Sequence, residues 1–201
     1  MKRKAFLLIS LTTIILLSAC LLPSCGHAPK RNFSDQDLLI NVSVLPEHWA
    51  LLDIYTMDNE EGEESGKTII FYKTDTPYLV RAGEDVFHYS SAHRASWHYR
   101  RLEKYYFTPN IRETPPVVPK GFDFVSTAAD QWRFGCMDTT FSPTPAFGKR
   151  STICQYIAQY DEFLIYASIT TQVDGQAMVS MKEVQRFIEA IDRKMARYLA
   201  P

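Results

Sequence analysis

Four cysteines, five histidines and a scatter of acids carry whatever chemistry this 201-residue chain can perform. Cys20 and Cys25 lie near the N-terminus, and Cys136 and Cys154 lie far downstream. His88, His93 and His98 recur every five residues. On a helix that spacing turns each about 140° from the last, so the three cannot converge on a metal. Cysteine and histidine nowhere pair at zinc-like spacing. Asp58, Glu60, Glu61, Glu63 and Glu64 crowd one stretch but lack the alternating order of a calcium loop, and read as a solvated loop tip. Asp123, Asp130 and Asp138 flank strand-like segments without defining an acid–base pair. The chain has no Gly-x-Ser-x-Gly elbow, no His-Glu-x-x-His, no phosphate-binding glycine loop and no dinucleotide fingerprint. It is therefore read as non-catalytic, with no cofactor and no metal site, and an enzyme with an unfamiliar site is the remaining alternative.

The N-terminus is more explicit. Lys2, Arg3 and Lys4 precede an uncharged apolar run over 5–17. A helix needs about 20 apolar residues to span a bilayer, so the run reads as the core of a signal peptide. Leu17-Ser18-Ala19-Cys20 follows. This combination resembles the signal peptide and lipobox of bacterial lipoproteins. The resemblance implies cleavage before Cys20 and a diacylglycerylated, palmitate-type cysteine. Leu22-Pro23-Ser24-Cys25 is a second, poorer lipobox, which leaves Cys25 as the alternative attachment site. Each buried methylene of an acyl chain contributes about 0.8 kcal/mol, so a multiply acylated cysteine holds firmly to a membrane. The expected organisation is a signal peptide over 1–19, a lipidated cysteine and flexible tether over 20–33, and one extracytoplasmic domain over 34–201.

Composition agrees with a single folded domain: 46% hydrophobic and 13% aromatic residues exclude a disordered chain. The formal charge of −1 conceals an asymmetry. Removal of 1–19 takes three basic residues and no acidic ones, leaving 19 against 23, formally −4. Nucleic acid is accordingly not an expected partner.

The elements that position these residues can be read along the chain. Ser34 caps a short helix over 35–40, which ends before Pro46. Leu45-Pro46-Glu47-His48-Trp49 is similar to a Leu-Pro-x-Gly-Trp stretch of uncharacterised bacterial lipoproteins, with His48 in place of the glycine. Segments 49–57 and 67–73 read as a hairpin, and 78–81 as a short strand. Spacings of three and four among Ala92, Ala95, Tyr99, Leu102 and Tyr106 predict a helix over 84–106, with Glu84 and Asp85 at its positive end. His93, Trp97, Arg100 and Lys104 fall on another face of that helix, a basic and aromatic mixture that could bind a partner or anionic lipid. The prolines of 107–121 favour an extended connection.

Strands are expected over 131–137, 152–159 and 163–171, the last two joined around Tyr160-Asp161-Glu162, with a turn at Asp174-Gly175. Ser180-Met181-Lys182-Glu183 matches a capping box, and Val184, Phe187, Ile188, Ile191, Met195 and Leu199 form the apolar stripe of a long C-terminal helix. The fold class is α+β, an antiparallel sheet with helices packed on one face. PsbP/Mog1-like extracytoplasmic modules resemble this layout. Export would place Cys136 and Cys154 where they can form a disulfide between neighbouring strands. The functional expectation is a lipid-anchored module on the extracytoplasmic side of the plasma or outer membrane. Its partners would be the bilayer and an unidentified protein or cell-envelope component. The alternative is a small-ligand or lipid carrier with an apolar cavity between sheet and helices.

Overall fold

A computed structural model describes residues 30–57, 62–78, 80–108, 114–139 and 150–199. Cys20, Cys25, Asp58, Glu60 and Glu61 lie outside the described residues. Asp35–Leu38 forms helix α1, and a 3-10 turn follows at Val42–Val44. The expected first hairpin is present as Trp49–Thr56 (β1) and Ser65–Lys73 (β2). His48, just before β1, has φ +72, the left-handed backbone that glycine adopts at least cost. Its carbonyl accepts the Thr74 N–H at 2.7 Å, tying the start of β1 to the end of β2.

The expected helix over 84–106 is two elements. Arg81–His88 is a strand (β3), and the helix, α2, covers only Ala92–Phe107. Ala82, Glu84 and Val86 are buried while their neighbours are half-buried, which is the period of two that a strand imposes. Glu84 and Asp85 therefore occupy opposite faces of a strand instead of the positive end of a helix. Ser91 supplies the helix cap, its hydroxyl accepting the Arg94 N–H at 3.3 Å.

Gln131–Thr139 (β4), Ser151–Tyr160 (β5) and Phe163–Val173 (β6) complete the main sheet, and Gln176–Ala177 (β7) adds a short pair to β6. The strand order is β1-β2-β3-β6-β5-β4, with antiparallel pairing throughout. Asp161 and Asp174 both have positive φ, at +54 and +50, in the two-residue turns that follow β5 and β6. The C-terminal helix, α3, spans Met181–Leu199. Its capping box is formed: Glu183 accepts from both the backbone N–H and the hydroxyl of Ser180 at 2.8 Å. Val184, Phe187, Ile188, Ile191 and Met195 are buried against the sheet.

The antiparallel α+β architecture and long final helix match the sequence reading, while the distribution of helices differs in one respect. α1 and α3 share the face that carries Tyr156, Ala158, Ile165 and Ala167. α2 covers the other face, where Ala95, Tyr99 and Phe107 join Ile157 and Leu164 in a second core. β5 and β6 thus bury apolar side chains on both sides, although only one side was expected to face the interior. The connection after α2 returns along the outer edge of β4. Val117 and Cys136 exchange both backbone hydrogen bonds there, at 2.9 and 2.8 Å. Phe122 and Phe124 then fold over Phe134 and Trp132.

Cys136 and Cys154 face each other across β4 and β5 and form a disulfide. Two predictions follow from these constraints. Cys136→Ala/Cys154→Ala is expected to lose about 3 kcal/mol of stability, because the cross-link no longer restricts the unfolded chain; urea melts with and without reductant check it. His48→Gly is expected to hold or raise the unfolding free energy, by up to about 1 kcal/mol in the same urea melts, whereas a glycine at an ordinary strand entry would lower it.

Candidate functional site

Ser34 and Asp37 close α1 on itself: the Ser34 N–H and hydroxyl both donate to Asp37 at 2.8 Å. This short turn drives Leu38, Leu39 and Ile40 into the core. Asn41 then caps the 3-10 turn by accepting the Ser43 N–H at 2.9 Å. Val42 packs on the core while Val44 is 44% exposed, and a groove opens between this segment, the outer strands β1 and β2, and the last turns of α3. Its first part, about 320 Å³, has Leu51, Ile54, Ile69 and Phe71 as an apolar floor. Its second, about 390 Å³, runs between Val44 and the cations Arg193, Lys194 and Arg197. Ile40, Asn41, Lys194 and Tyr198 line both parts. A volume of this order suits a small ligand or one segment of a larger one.

Glu84 is wholly buried next to this groove, paired across strands with Ile69 of its floor. One carboxyl oxygen accepts the Ile40 N–H at 2.8 Å, and the other has no hydrogen-bond partner among the described residues. Burial pushes this carboxyl up to about 8; the Ile40 N–H and Lys194 pull it back, and Asp85 adds to the rise. Glu84 is accordingly protonated at neutral pH. Lys194 donates to the Leu39 carbonyl, and its own pKa is lowered by desolvation, with Glu84 and Asp37 opposing the shift. On the opposite face of the sheet, burial raises Asp85 to about 6 against the hydrogen bond from the Thr68 hydroxyl.

The lining of the groove contains no serine, cysteine or histidine. Its half-buried Lys194 and the exposed Arg193 and Arg197 can hold an anion and its apolar floor an amphiphile, with the carboxyl of Asp37 at the margin. Between sheet and α3 the interior is filled by Tyr156, Tyr160, Phe163 and Phe187. Tyr160 donates to Asp192 of α3 at 2.8 Å and shares a hydrogen bond with Tyr156 at 2.9 Å.

The other residues singled out in the sequence fall elsewhere. His93, Trp97, Arg100 and Lys104 lie on the solvent side of α2, with Trp97 56% exposed and Arg101 over its ring. His88 sits on β3, stacked on Phe163, and His98 is buried against Tyr89. The three histidines are thus not on one helix: His88 ends β3, and only His93 and His98 lie on α2. Asp138 pairs with Arg150 at 3.1 Å, and Asp130 accepts the Asp161 N–H at 2.7 Å. No group of three metal-ligating side chains occurs among the described residues. None of their helices is long and apolar enough to cross a membrane. Glu84 and Lys194 escaped sequence reasoning. The alternation of Ala82, Glu84 and Val86 was the available signal, masked by the adjacent acid Asp85.

Neither a protein-family model nor a curated protein matches the chain. Among solved structures, the crystal structure of the extracellular domain of PknH from Mycobacterium tuberculosis is similar, with a TM-score of 0.47 and 13% identity. The similarity covers 84% of this chain and 98% of that one.

The buried acid makes a pH prediction. Glu84 titrates near 4.5 when exposed and near 8 in the folded protein, so folding favours its protonated form. Its contribution to stability is complete below pH 4.5 and is lost as pH rises to about 8, by at most about 1.4 kcal/mol per pH unit. Asp85 acts in the same sense only up to about pH 6. Glu84→Gln is therefore expected to flatten the fall in stability between pH 6 and 8, which urea melts of both proteins at the two pH values will measure.

Proposed function

We propose that this protein is a lipid-anchored, extracytoplasmic binding module without catalytic activity, and that its ligand occupies the groove between the 3-10 turn, β1–β2 and α3. One observation carries the reading: an apolar floor and a cationic bank lie side by side in an open groove. The lining suits recognition of an anionic or amphiphilic ligand through desolvated apolar contacts and charge-assisted hydrogen bonds.

Two further features support the address. The buried Cys136–Cys154 disulfide suits an oxidising compartment. The N-terminal basic, apolar and lipobox sequence supplies export and acylation at Cys20, with Cys25 as the alternative. The tether then ends at a firm clamp. Arg31 donates to Glu162 at 2.6 and 2.8 Å and to Asp161 at 2.8 Å, at the turn between β5 and β6. Phe33 packs on Phe163 and on Tyr198 of the groove.

Metabolic labelling with a palmitate analogue, combined with mass spectrometry of the mature N-terminus, tests the anchor. Label is expected on wild type and on Cys25→Ser, and is expected to vanish in Cys20→Ser. Label retained in Cys20→Ser but absent from Cys25→Ser would move the anchor to the second lipobox, and an unacylated N-terminus in wild type would overturn it.

A further inference from the structure

We propose that the groove face is a membrane-docking surface for anionic phospholipid, seated flat on the bilayer to which the tether is attached. The proposal rests on the lipid-anchored reading above and adds an orientation and a lipid chemistry to it.

The two banks of the groove carry the two kinds of group that an interfacial surface needs. On one bank, Leu51 and Ile54 of the edge strand β1 are 47% and 38% exposed, and Val44 of the 3-10 turn is 44% exposed. These apolar side chains surround an open space and are not shed singly over the surface, which is the pattern that marks an interaction site. On the other bank stand Arg193, Lys194 and Arg197. Arg197 has no ion-pair partner among the described residues, and Arg193 meets Glu189 only at 3.4 Å. Asp37, at the other end of the groove, is held ionised by the Ser34 N–H and hydroxyl and offsets part of this charge, leaving three cations against one carboxylate in the lining. A cationic bank on a domain whose mature chain is formally −4 is a local asymmetry, complementary to an anionic surface and not a reflection of overall charge.

The position of the tether agrees. Phe33 packs on Tyr198, which lines the groove, so the anchored chain leaves the domain beside this face. Lys30 lies ten positions after Cys20, a span of at most about 35 Å when fully extended. That length holds the domain close enough to the headgroups for the face to meet them. The two edges of the sheet also differ. The connection over 114–130 covers β4, whereas β1 has its Leu51, Ile54 and Tyr55 side chains open to solvent. An exposed apolar edge calls for a partner or a guard.

Hydrogen exchange of the full-length mature protein, placed on phosphatidylcholine vesicles and on vesicles that also contain phosphatidylglycerol, tests the proposal. The amides of β1 and of the last turns of α3 are expected to slow only on the anionic vesicles and to recover in high salt. Arg193→Gln/Arg197→Gln, at two exposed positions that leave the core untouched, is expected to weaken docking about 30-fold, equivalent to about 1 kcal/mol per cation. Trp97→Ala, on the opposite face, is expected to change nothing. Retention on both kinds of vesicle with identical exchange would overturn docking and leave the anchor standing. Retention on anionic vesicles alone would sustain docking and remove the anchor. Protection that depends on protein concentration and not on lipid would assign the face to a second copy of the chain and overturn the proposal.

Discussion

The hairpin of β5 and β6 cannot be exposed on either side. Tyr156, Ala158, Ile165 and Ala167 point one way, and Ile157 and Leu164 the other, and all are buried. A strand pair of this kind needs cover on both faces. α3 supplies one cover through its continuous apolar stripe, and α2 supplies the other through Ala95, Tyr99 and Phe107. The remaining strands of the main sheet extend outward from this centre, β3, β2 and β1 on one side and β4 on the other. Arg31 and Phe33 fasten the N-terminal segment to the same hairpin through Asp161, Glu162 and Phe163.

Distance from that centre decides what is available for function. Near it, polar groups are absorbed into structure: Tyr160 reaches Asp192, Ser126 bonds to the same carboxylate, and Tyr156 completes the chain. Burial and these neighbours raise the Tyr160 pKa and keep its hydroxyl a donor. At the far edge the cover thins. α1 has only one turn, so β1 and β2 retain an open apolar floor beside the cations of α3. Glu84 marks the border between the two regimes, fully buried yet with one oxygen unpartnered. A buried group of that kind costs stability.

Much of the scaffold was legible residue by residue. The stripe from Val184 to Leu199, the Ser180–Glu183 box, the hairpin around Asp161 and the pairing of Cys136 with Cys154 all follow from local pattern or strand adjacency. The stretch 81–92 was legible only in part. Its acids at 84 and 85 suit a helix start and conceal a strand, because both patterns depend on which face will be buried. The candidate groove was not legible at all. Its lining comes from three separated segments, around 36–44, 51–71 and 190–198, and no spacing within one segment announces the others.

The sequence by itself therefore determined the antiparallel α+β class, the cysteine pair and the amphipathic final helix, since each depends on strand adjacency, on neighbours a few residues apart or on a repeating period. Tertiary structure alone decided that the two long helices lie on opposite faces, that Glu84 is buried and protonated, and that Lys194 meets the edge of β1–β2 across a groove. Those outcomes depend on which distant surfaces exclude water from one another, and the period of a single segment carries no record of the surface that will cover it.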